Sequence, residues 1–168
     1  MLRPATGDDA PRISAWLCDP QINRYLTSNL RGQGLSPQLL KVALRRQDLA
    51  WYVFSAEDNG DPVGLVALDS IDAADGVANL WFVLGDSSRS RSGLTSKAIR
   101  EFCDDNPLSL AAVTAWAVEL NLTSRGCLIK AGFREIGHIE NAVGLPEGRY
   151  ARVLFTRAMG RTDKSNSG

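Results

Sequence analysis

Three short apolar runs in the first half of the chain restrict its fold more than any other feature. They are rich in β-branched, aromatic and aliphatic residues and occupy residues 51–54, 63–68 and 77–84. The Asn59-Gly60 pair and the segment 72–76 place turn residues between them. Short runs of this composition are typical of strands, and tight turns join strands that run antiparallel. The sequence therefore predicts an antiparallel three-stranded meander.

The elements around this meander are a mixture of helices and strands. A short strand at residues 2–4 and three short amphipathic helices precede it. Residues 94–102 have helical spacing, and another helix at residues 121–131 ends before Gly132. The remaining strands are expected at residues 110–118, 133–139 and 150–159. These elements predict an α/β (α+β) fold with a mixed, mostly antiparallel seven-stranded sheet, and helices flank it because apolar strands need cover on both faces.

Length and charge limit the classes of partner. The chain of 168 residues fits one domain with a substantial core. We expect this domain to span residues 1–159 and the polar segment 160–168 to form a flexible C-terminal tail. Nineteen Lys and Arg residues balance nineteen Asp and Glu residues. No overall field draws the chain to nucleic acid or to an anionic membrane, so neither is expected as a partner.

Cysteine and histidine usage indicates a reducing compartment and no metal site. Cys18, Cys103 and Cys127 are odd in number and far apart, which predicts reduced core thiols. The first nine residues lack the apolar stretch of a secretory signal, and no apolar run is long enough to span a membrane. His138 is the only histidine, so no metal ligand set is expected around it. We therefore expect a cytoplasmic protein.

The turn at residues 86–95 joins an apolar strand to an amphipathic helix. Its small residues leave backbone N–H groups accessible, and Arg89 and Arg91 add positive charge. The N–H groups in the first turn of a helix lack internal partners and attract anions. The turn is therefore a candidate pyrophosphate site, although Gly93 is its only glycine and it lacks the Gly-Lys-Ser of a nucleotide P-loop. Taken alone, it is also compatible with a connection that binds nothing.

A second motif lies at residues 121–133 and has the spacing N-x-x-S-x-x-x-x-x-K-x-G-F. Its defining residues are Asn121, Ser124, Lys130, Gly132 and Phe133. The segment resembles the motif of the GNAT acyltransferase superfamily, especially of the branch that acetylates N-terminal amines of ribosomal proteins and its amino-sugar relatives. The upstream turn is similar to that superfamily's pyrophosphate loop, Q/R-x-x-G-x-G/A, when aligned on Gly93. The resemblance spans residues 2–159.

The resemblance implies that the fourth and fifth strands splay apart and that acetyl-CoA lies along the gap. Backbone N–H groups around Val83 and Leu84 would bind the oxyanion that forms during acyl transfer. Ser124 would donate to the departing thiolate, and Asn121 would hold the pantetheine arm in place. The cofactor-binding residues implied in this way are Val83, Leu84, Arg89, Ser90, Arg91, Ser92, Gly93, Leu94, Thr95, Asn121, Ser124 and Lys130.

Several positions depart from the superfamily's pattern. The usual Gln or Arg of the loop falls at Ser90, and its last small residue is Thr95. The acidic residue that often serves as base in the fourth strand aligns with Asn79, whose amide cannot take a proton. The tyrosine that serves many relatives as general acid aligns near Leu128. Ser124 is left as the candidate acid. A serine at this position can instead cap its helix or form a hydrogen bond to the helix backbone.

An amine attacks a thioester only when it is neutral, so its proton must leave. Glu119, at the end of the predicted fifth strand, and Asp69, at the end of the third, are candidate bases. The position of each is also typical of a solvated carboxylate at the end of a strand, with no role in catalysis. A site that acts by orientation works with water as the base, so the candidates for catalysis are Ser124, Glu119, Asp69 and water.

The function implied by the resemblance is acetyl transfer from acetyl-CoA to a primary amine, by direct attack in a ternary complex. The acceptor is expected to be a protein N-terminus, an amino sugar or another small amine. Its candidate contacts are Tyr25, Asn79, Trp81 and Tyr150. The alternative is that these residues only pack in the core or at the rim of the site. A non-catalytic acyl-CoA-binding module, an enzyme for a longer acyl-CoA and a nucleotide-binding protein are the alternatives. The chain is expected to be a monomer or a homodimer.

Overall fold

The computed structural model describes residues 1–31, 34–58 and 60–160 and is built on one seven-stranded sheet. Its strands are β1 (Leu2–Pro4), β2 (Ala50–Ser55), β3 (Pro62–Asp72), β4 (Val77–Leu84), β5 (Ala112–Val118), β6 (Arg134–Leu145) and β7 (Gly148–Ala158). Its helices are α1 (Ala10–Cys18), α2 (Pro20–Asn23), α3 (Pro37–Ala43), α4 (Leu94–Asp105) and α5 (Leu122–Lys130), with a short 3-10 turn at Ser87–Arg89.

The sheet has the strand order β1-β2-β3-β4-β5-β7-β6. Neighbouring strands are antiparallel except β4 and β5, which are parallel. Their parallel pairing covers only residues 77–79 of β4 and 112–114 of β5, and beyond these residues the two strands separate. The predicted mixed sheet with a splayed fourth and fifth strand is therefore confirmed.

Two apolar layers cover the sheet, as the apolar strands predict. On one face, α4 and α5 pack on strand residues that include Phe54 and Phe155, with Phe102 of α4 fully buried between them. On the other face, α1 and α3 contribute Ile13 and Leu40 to a second core. Burying apolar side chains on both faces fixes the register of each strand, because a shift by one residue would expose them.

Asp9 immediately precedes α1 as its N-cap residue. Its carboxylate makes no hydrogen bond to the helix. It accepts two hydrogen bonds of 2.8 Å from the Arg3 guanidinium and one of 2.8 Å from the Thr6 N–H. With only 7% of its surface exposed, the carboxylate joins β1 to the start of α1 as a half-buried ion pair.

The β6–β7 hairpin is longer than predicted. The sequence places a loop over residues 140–149, whereas β6 extends to Leu145 and β7 begins at Gly148. The pairing register shifts between Ile139 and Val143, where Asn141 has a φ of 55°. A bulge of this kind interrupts the alternation of inward and outward side chains, so the continuing strand is hidden in the sequence.

Three smaller expectations have mixed outcomes. Cys103 is buried, but Cys18 is exposed, so the prediction that all three cysteines are core thiols is wrong. Asn59, part of the predicted turn between β2 and β3, lies outside the described residues, as does the tail after Gly160. Among the helices that the structure describes, none is long and apolar enough to cross a membrane.

Replacing Asp9 by asparagine is expected to lower the free energy of unfolding by about 1–3 kcal/mol at neutral pH, because Arg3 loses its buried carboxylate partner. The hydrogen bond from Arg3 holds the pKa of Asp9 below its ordinary value. The parent's advantage should therefore be complete above about pH 4 and disappear as the pH falls through the pKa of the folded state. Urea denaturation over a pH series measures both.

Asp61→Asn is the matched control. Its carboxylate pairs with Arg12 at 3.2 Å, but its side chain is 84% exposed. Exposed pairs contribute little, so this variant should stay within about 0.5 kcal/mol of the parent. Equal losses in the two variants would contradict the structural role assigned to Asp9.

Candidate active site

A large cleft opens where β4 and β5 part. The last paired residues are Asn79 and Thr114, and the cavity beyond them has a volume of about 780 Å³. We call it the central cleft. Its walls are formed by residues 79 and 81–85 of β4 and the following turn, 116–117 of β5, 87 and 89–96, residues between 19 and 30, and residues between 121 and 130.

One end of the central cleft is lined by unpaired backbone N–H groups. Arg91 and Gly93 both have left-handed backbone conformations, with φ values of 65° and 78°. Among the described residues, no acceptor bonds the N–H groups of Arg91, Gly93, Thr95 or Ser96. Successive N–H groups at the start of a helix form a concave anion site. A Cβ built on Gly93 meets no atom within 4 Å, so the space in front of the turn is open.

The predicted loop residues all line this end of the central cleft. They are Arg89, Ser90, Arg91, Ser92, Gly93, Leu94 and Thr95. Asp86 holds the turn by accepting the Ser88 N–H at 3.0 Å, and it lies 3.8 Å from the Arg89 guanidinium. The turn therefore offers N–H donors and guanidinium groups of the kind that bind a diphosphate.

The middle of the central cleft is the freed edge of β4. Gly85 donates its N–H to Val63 of β3, and the Ala78 carbonyl points to the β5 side. Because backbone groups alternate in direction along a strand, the Val83 N–H points to β3 and those of Leu84 and Phe82 point into the gap. Of the two predicted donors, Leu84 therefore faces the gap, and Phe82 is a donor that the sequence did not single out.

The start of α5 forms the opposite wall. Asn121 caps this helix by accepting the Ser124 N–H on Oδ1 at 3.1 Å, which leaves its amide nitrogen for a ligand. The Ser124 hydroxyl makes no hydrogen bond within the described part of the chain. Asn121, Ser124 and Lys130, which are predicted cofactor contacts, all line the central cleft.

Cys127 also lines this wall, one helical turn after Ser124. Burial raises the pKa of its thiol to about 12. A thiol with this pKa is almost entirely protonated at neutral pH, and the thiolate is the nucleophilic form. Cys127 is therefore a poor candidate for a covalent acyl carrier.

The floor and outer wall of the central cleft carry polar and aromatic side chains. Asn79, Trp81 and Tyr25, which the sequence analysis gives as candidate acceptor contacts, are among the residues that line it. Trp81 packs edge-on against the buried Trp51, with ring centroids 5.3 Å apart, which fixes its indole against the second core. Trp116 of β5 faces the same space.

Three of the predicted site residues do not line the central cleft. The Glu119 carboxylate accepts the Ala151 N–H at 2.7 Å at the end of β5. Asp69 contacts the cleft only through Asn79, whose amide nitrogen lies 3.2 Å from its Oδ1. Tyr150 packs against a small apolar cluster that contains Val118 and Val143, and Tyr25 and Trp116 pack against the same cluster.

Several lining residues were not predicted. Apart from Phe82, they are Asp19, Gln21, Ile22, Leu26, Thr27, Leu30, Gly85, Ser87, Ser96, Trp116, Ala117, Leu122, Thr123, Gly126 and Cys127. Alternation along β5 carries a signal for one of them, since Val113, Ala115 and Ala117 are buried and Trp116 faces the other way. The unpredicted residues around Tyr25 carry none, because nothing local shows which side of the sheet they cover.

Known proteins that resemble this chain share its architecture. The chain aligns with a spermidine N-acetyltransferase from Vibrio cholerae, solved with CoA and spermine, with a TM-score of 0.81 over 96% of both chains and 15% identity. An acetyltransferase of the GNAT family from Streptococcus pneumoniae gives 0.76 at 21% identity, over 95% of this chain and 99% of that one. At these identities the likeness shows the fold alone.

The family of the chain follows from its sequence. Among curated proteins, none matches the sequence. The family model described as the acetyltransferase (GNAT) domain matches residues 1–134, which include the pyrophosphate-type turn and the whole motif from Asn121 to Phe133. The chain therefore belongs to the GNAT family of acetyltransferases.

Proposed function

We propose that the protein transfers an acetyl group from acetyl-CoA to a primary amine by direct attack in a ternary complex. The observation that carries this proposal is the central cleft itself. Its anion-binding N–H groups at residues 91–96 and its freed β4 edge at Leu84 lie along one groove. A ligand with a diphosphate at one end and a polar, amide-containing arm needs this arrangement of donors.

The β4 edge would position the thioester. The N–H groups of Phe82 and Leu84 point into the gap and are held rigidly, because β4 stays paired with β3 on its other side. Fixed donors stabilise the negative charge that develops on a carbonyl oxygen during attack more than they stabilise the uncharged carbonyl. Acetyl-CoA supplies the activated acyl group, and the chain supplies the donors.

Ser124 would donate its hydroxyl proton toward the departing sulfur, and Asn121 would bond the pantetheine arm with its free amide nitrogen. Both lie at the start of α5 on the wall of the central cleft. The high pKa of the Cys127 thiol supports direct transfer, since this thiol, which lines the central cleft, is protonated at neutral pH.

The route of the amine's proton is a separate part of the proposal. Glu119 and Asp69 stay predicted bases, but neither lines the central cleft, and Glu119 already accepts the Ala151 N–H. An ammonium group reaching the cleft from solvent can lose its proton to water before it attacks. Orientation of the neutral amine would then supply most of the rate increase.

The acceptor end of the central cleft combines apolar and polar side chains. Ile22, Tyr25, Leu26, Leu30, Trp81 and Trp116 line the cleft together with the polar Asp19 and Gln21. The resemblance of the 121–133 motif favours a peptide N-terminus or an amino sugar, whereas the Vibrio cholerae enzyme was solved with a polyamine. All of these acceptors present a primary amine, and we propose this group as the common requirement.

A second candidate is a module that binds acyl-CoA without turnover. Asn79 and Leu128 favour it, because they occupy positions where many relatives have an ionisable side chain. Unlike an enzyme, such a module would bind CoA and release no thiol with any amine.

Thiol release from acetyl-CoA in the presence of candidate acceptors tests the proposal. The panel contains N-terminal peptides, amino-sugar nucleotides, polyamines, simple arylalkylamines and free amino acids. We expect release with at least one acceptor, and mass spectrometry should find the acetyl group on its primary amine. Tight CoA binding without release across the whole panel would instead support the non-catalytic module.

Gly93→Glu should weaken acetyl-CoA binding about tenfold or more, because it places a carboxylate beside the diphosphate. Gly93→Ala is its matched control, since both variants force a side chain into the same left-handed backbone conformation, with a φ of 78°. Calorimetric titration should show the alanine variant binding more tightly than the glutamate variant. Equal acetyl-CoA affinity in both variants would show that the diphosphate does not bind at this turn.

Ser124→Ala should lower kcat about 10²-fold, the range for loss of one proton donor, and should leave acetyl-CoA affinity nearly unchanged. Ser124→Thr keeps a hydroxyl at the same position and should recover part of the rate. Steady-state kinetics together with calorimetry separate turnover from binding. A fully active alanine variant would show that Ser124 has no part in the mechanism.

A further inference from the structure

Asp69 and Asn79 form a cross-strand pair at the floor of the central cleft. They lie directly opposite each other on β3 and β4, and the Asn79 amide nitrogen donates to Asp69 Oδ1 at 3.2 Å. Only Asn79 lines the cleft, while Asp69 is half-buried behind it. Asn79 is also the last residue of β4 that pairs with β5, so it marks the point where the gap begins.

The chemistry of this pair fixes the orientation of the amide. An ionised carboxylate has acceptors and no donors, so the NH₂ group of Asn79 must face Asp69. The Asn79 Oδ1 is therefore turned away from Asp69, and it accepts no hydrogen bond from the described residues. An oxygen in this position can accept a hydrogen bond from an amine in the central cleft.

The backbone conformation around Asp69 is a second, independent indication that the position of this carboxylate matters for function. The pairing of β3 with β4 is irregular between Asp69 and Asp72, and Ser70 has a φ of 52°. The Ser70 hydroxyl donates to Asp69 Oδ1 at 3.1 Å. A left-handed conformation at a serine is unfavourable, and bulges beside active sites commonly redirect a side chain. Here the bulge accompanies a carboxylate that is held against Asn79.

We propose that Asp69 is a positioning residue that acts through Asn79, whose Oδ1 accepts a hydrogen bond from the attacking amine. The inference rests on the proposed amine acetylation at this cleft. In this arrangement Asp69 takes up no proton from the acceptor. It fixes the amide so that its oxygen, and not its NH₂ group, faces the amine, and it thereby directs the nitrogen lone pair at the acyl group.

Two substitutions of Asp69 separate positioning from base catalysis. Asp69→Asn keeps an oxygen that can accept a hydrogen bond from Asn79. Positioning therefore predicts a loss of about threefold in kcat/KM for the amine, which is smaller than the loss expected when a whole hydrogen bond is removed. Asp69→Val removes the acceptor and should lose about tenfold or more, because the amide is free to rotate. A catalytic base predicts instead that both variants lose about 10²- to 10⁴-fold together.

The control readouts are the acetyl-CoA KM and the pH–rate profile. Positioning leaves the acetyl-CoA KM of both variants at the parent value and leaves the shape of the Asp69→Asn profile unchanged. Asp75→Val changes an exposed carboxylate in the next turn and should match the parent. A raised acetyl-CoA KM in Asp69→Val alone would indicate a general structural defect and would contradict the inference.

A double-mutant cycle tests the path through Asn79. Asn79→Leu removes the proposed acceptor oxygen, so adding Asp69→Val to it should have little further effect on kcat/KM. Additive losses would overturn the inference while leaving the acetyltransferase activity of the parent intact. A parent protein that acetylates no amine would overturn the proposed function, and the inference with it.

Discussion

The site depends on hydrogen bonds that β4 and β5 do not make. After Asn79 and Thr114 the two strands diverge, and the N–H groups of Phe82 and Leu84 are left without the partner that a continuous sheet would supply. Unpaired backbone donors inside a protein are unfavourable unless a ligand or water bonds them. The fold therefore presents a row of directed donors that belong to the backbone, so their geometry does not depend on the position of any side chain.

The gap persists because each of the two strands is held on its outer side. β4 pairs with β3 as far as Leu84, and β5 pairs with β7 as far as Val118. Helices α4 and α5 pack against the sheet on one face, and α1 and α3 on the other. The strands thus remain extended while they are apart, which keeps the donors of β4 aligned with the N–H groups at residues 91–96.

Local sequence patterns predicted the parts of the fold that depend on nearby residues. The meander, the turn before α4 and the motif around Ser124 involve contacts over short distances along the chain, and the structure places them as expected. The hydrogen bond from Ala151 to Glu119 joins residues far apart in sequence, so no local pattern indicates that this carboxylate is already bonded. The packing of Tyr150 was also hidden in the sequence, because its partner Val143 follows the β6 bulge and the bulge itself has no local signal.

A crystal structure with bound acetyl-CoA decides whether the gap between β4 and β5 is the cofactor site. We expect the diphosphate on the N–H groups of residues 91–96, the thioester carbonyl within hydrogen-bonding distance of the Phe82 N–H, and β4 and β5 still apart. A ligand bound elsewhere, or a structure in which β4 and β5 pair along their full length, would contradict this expectation.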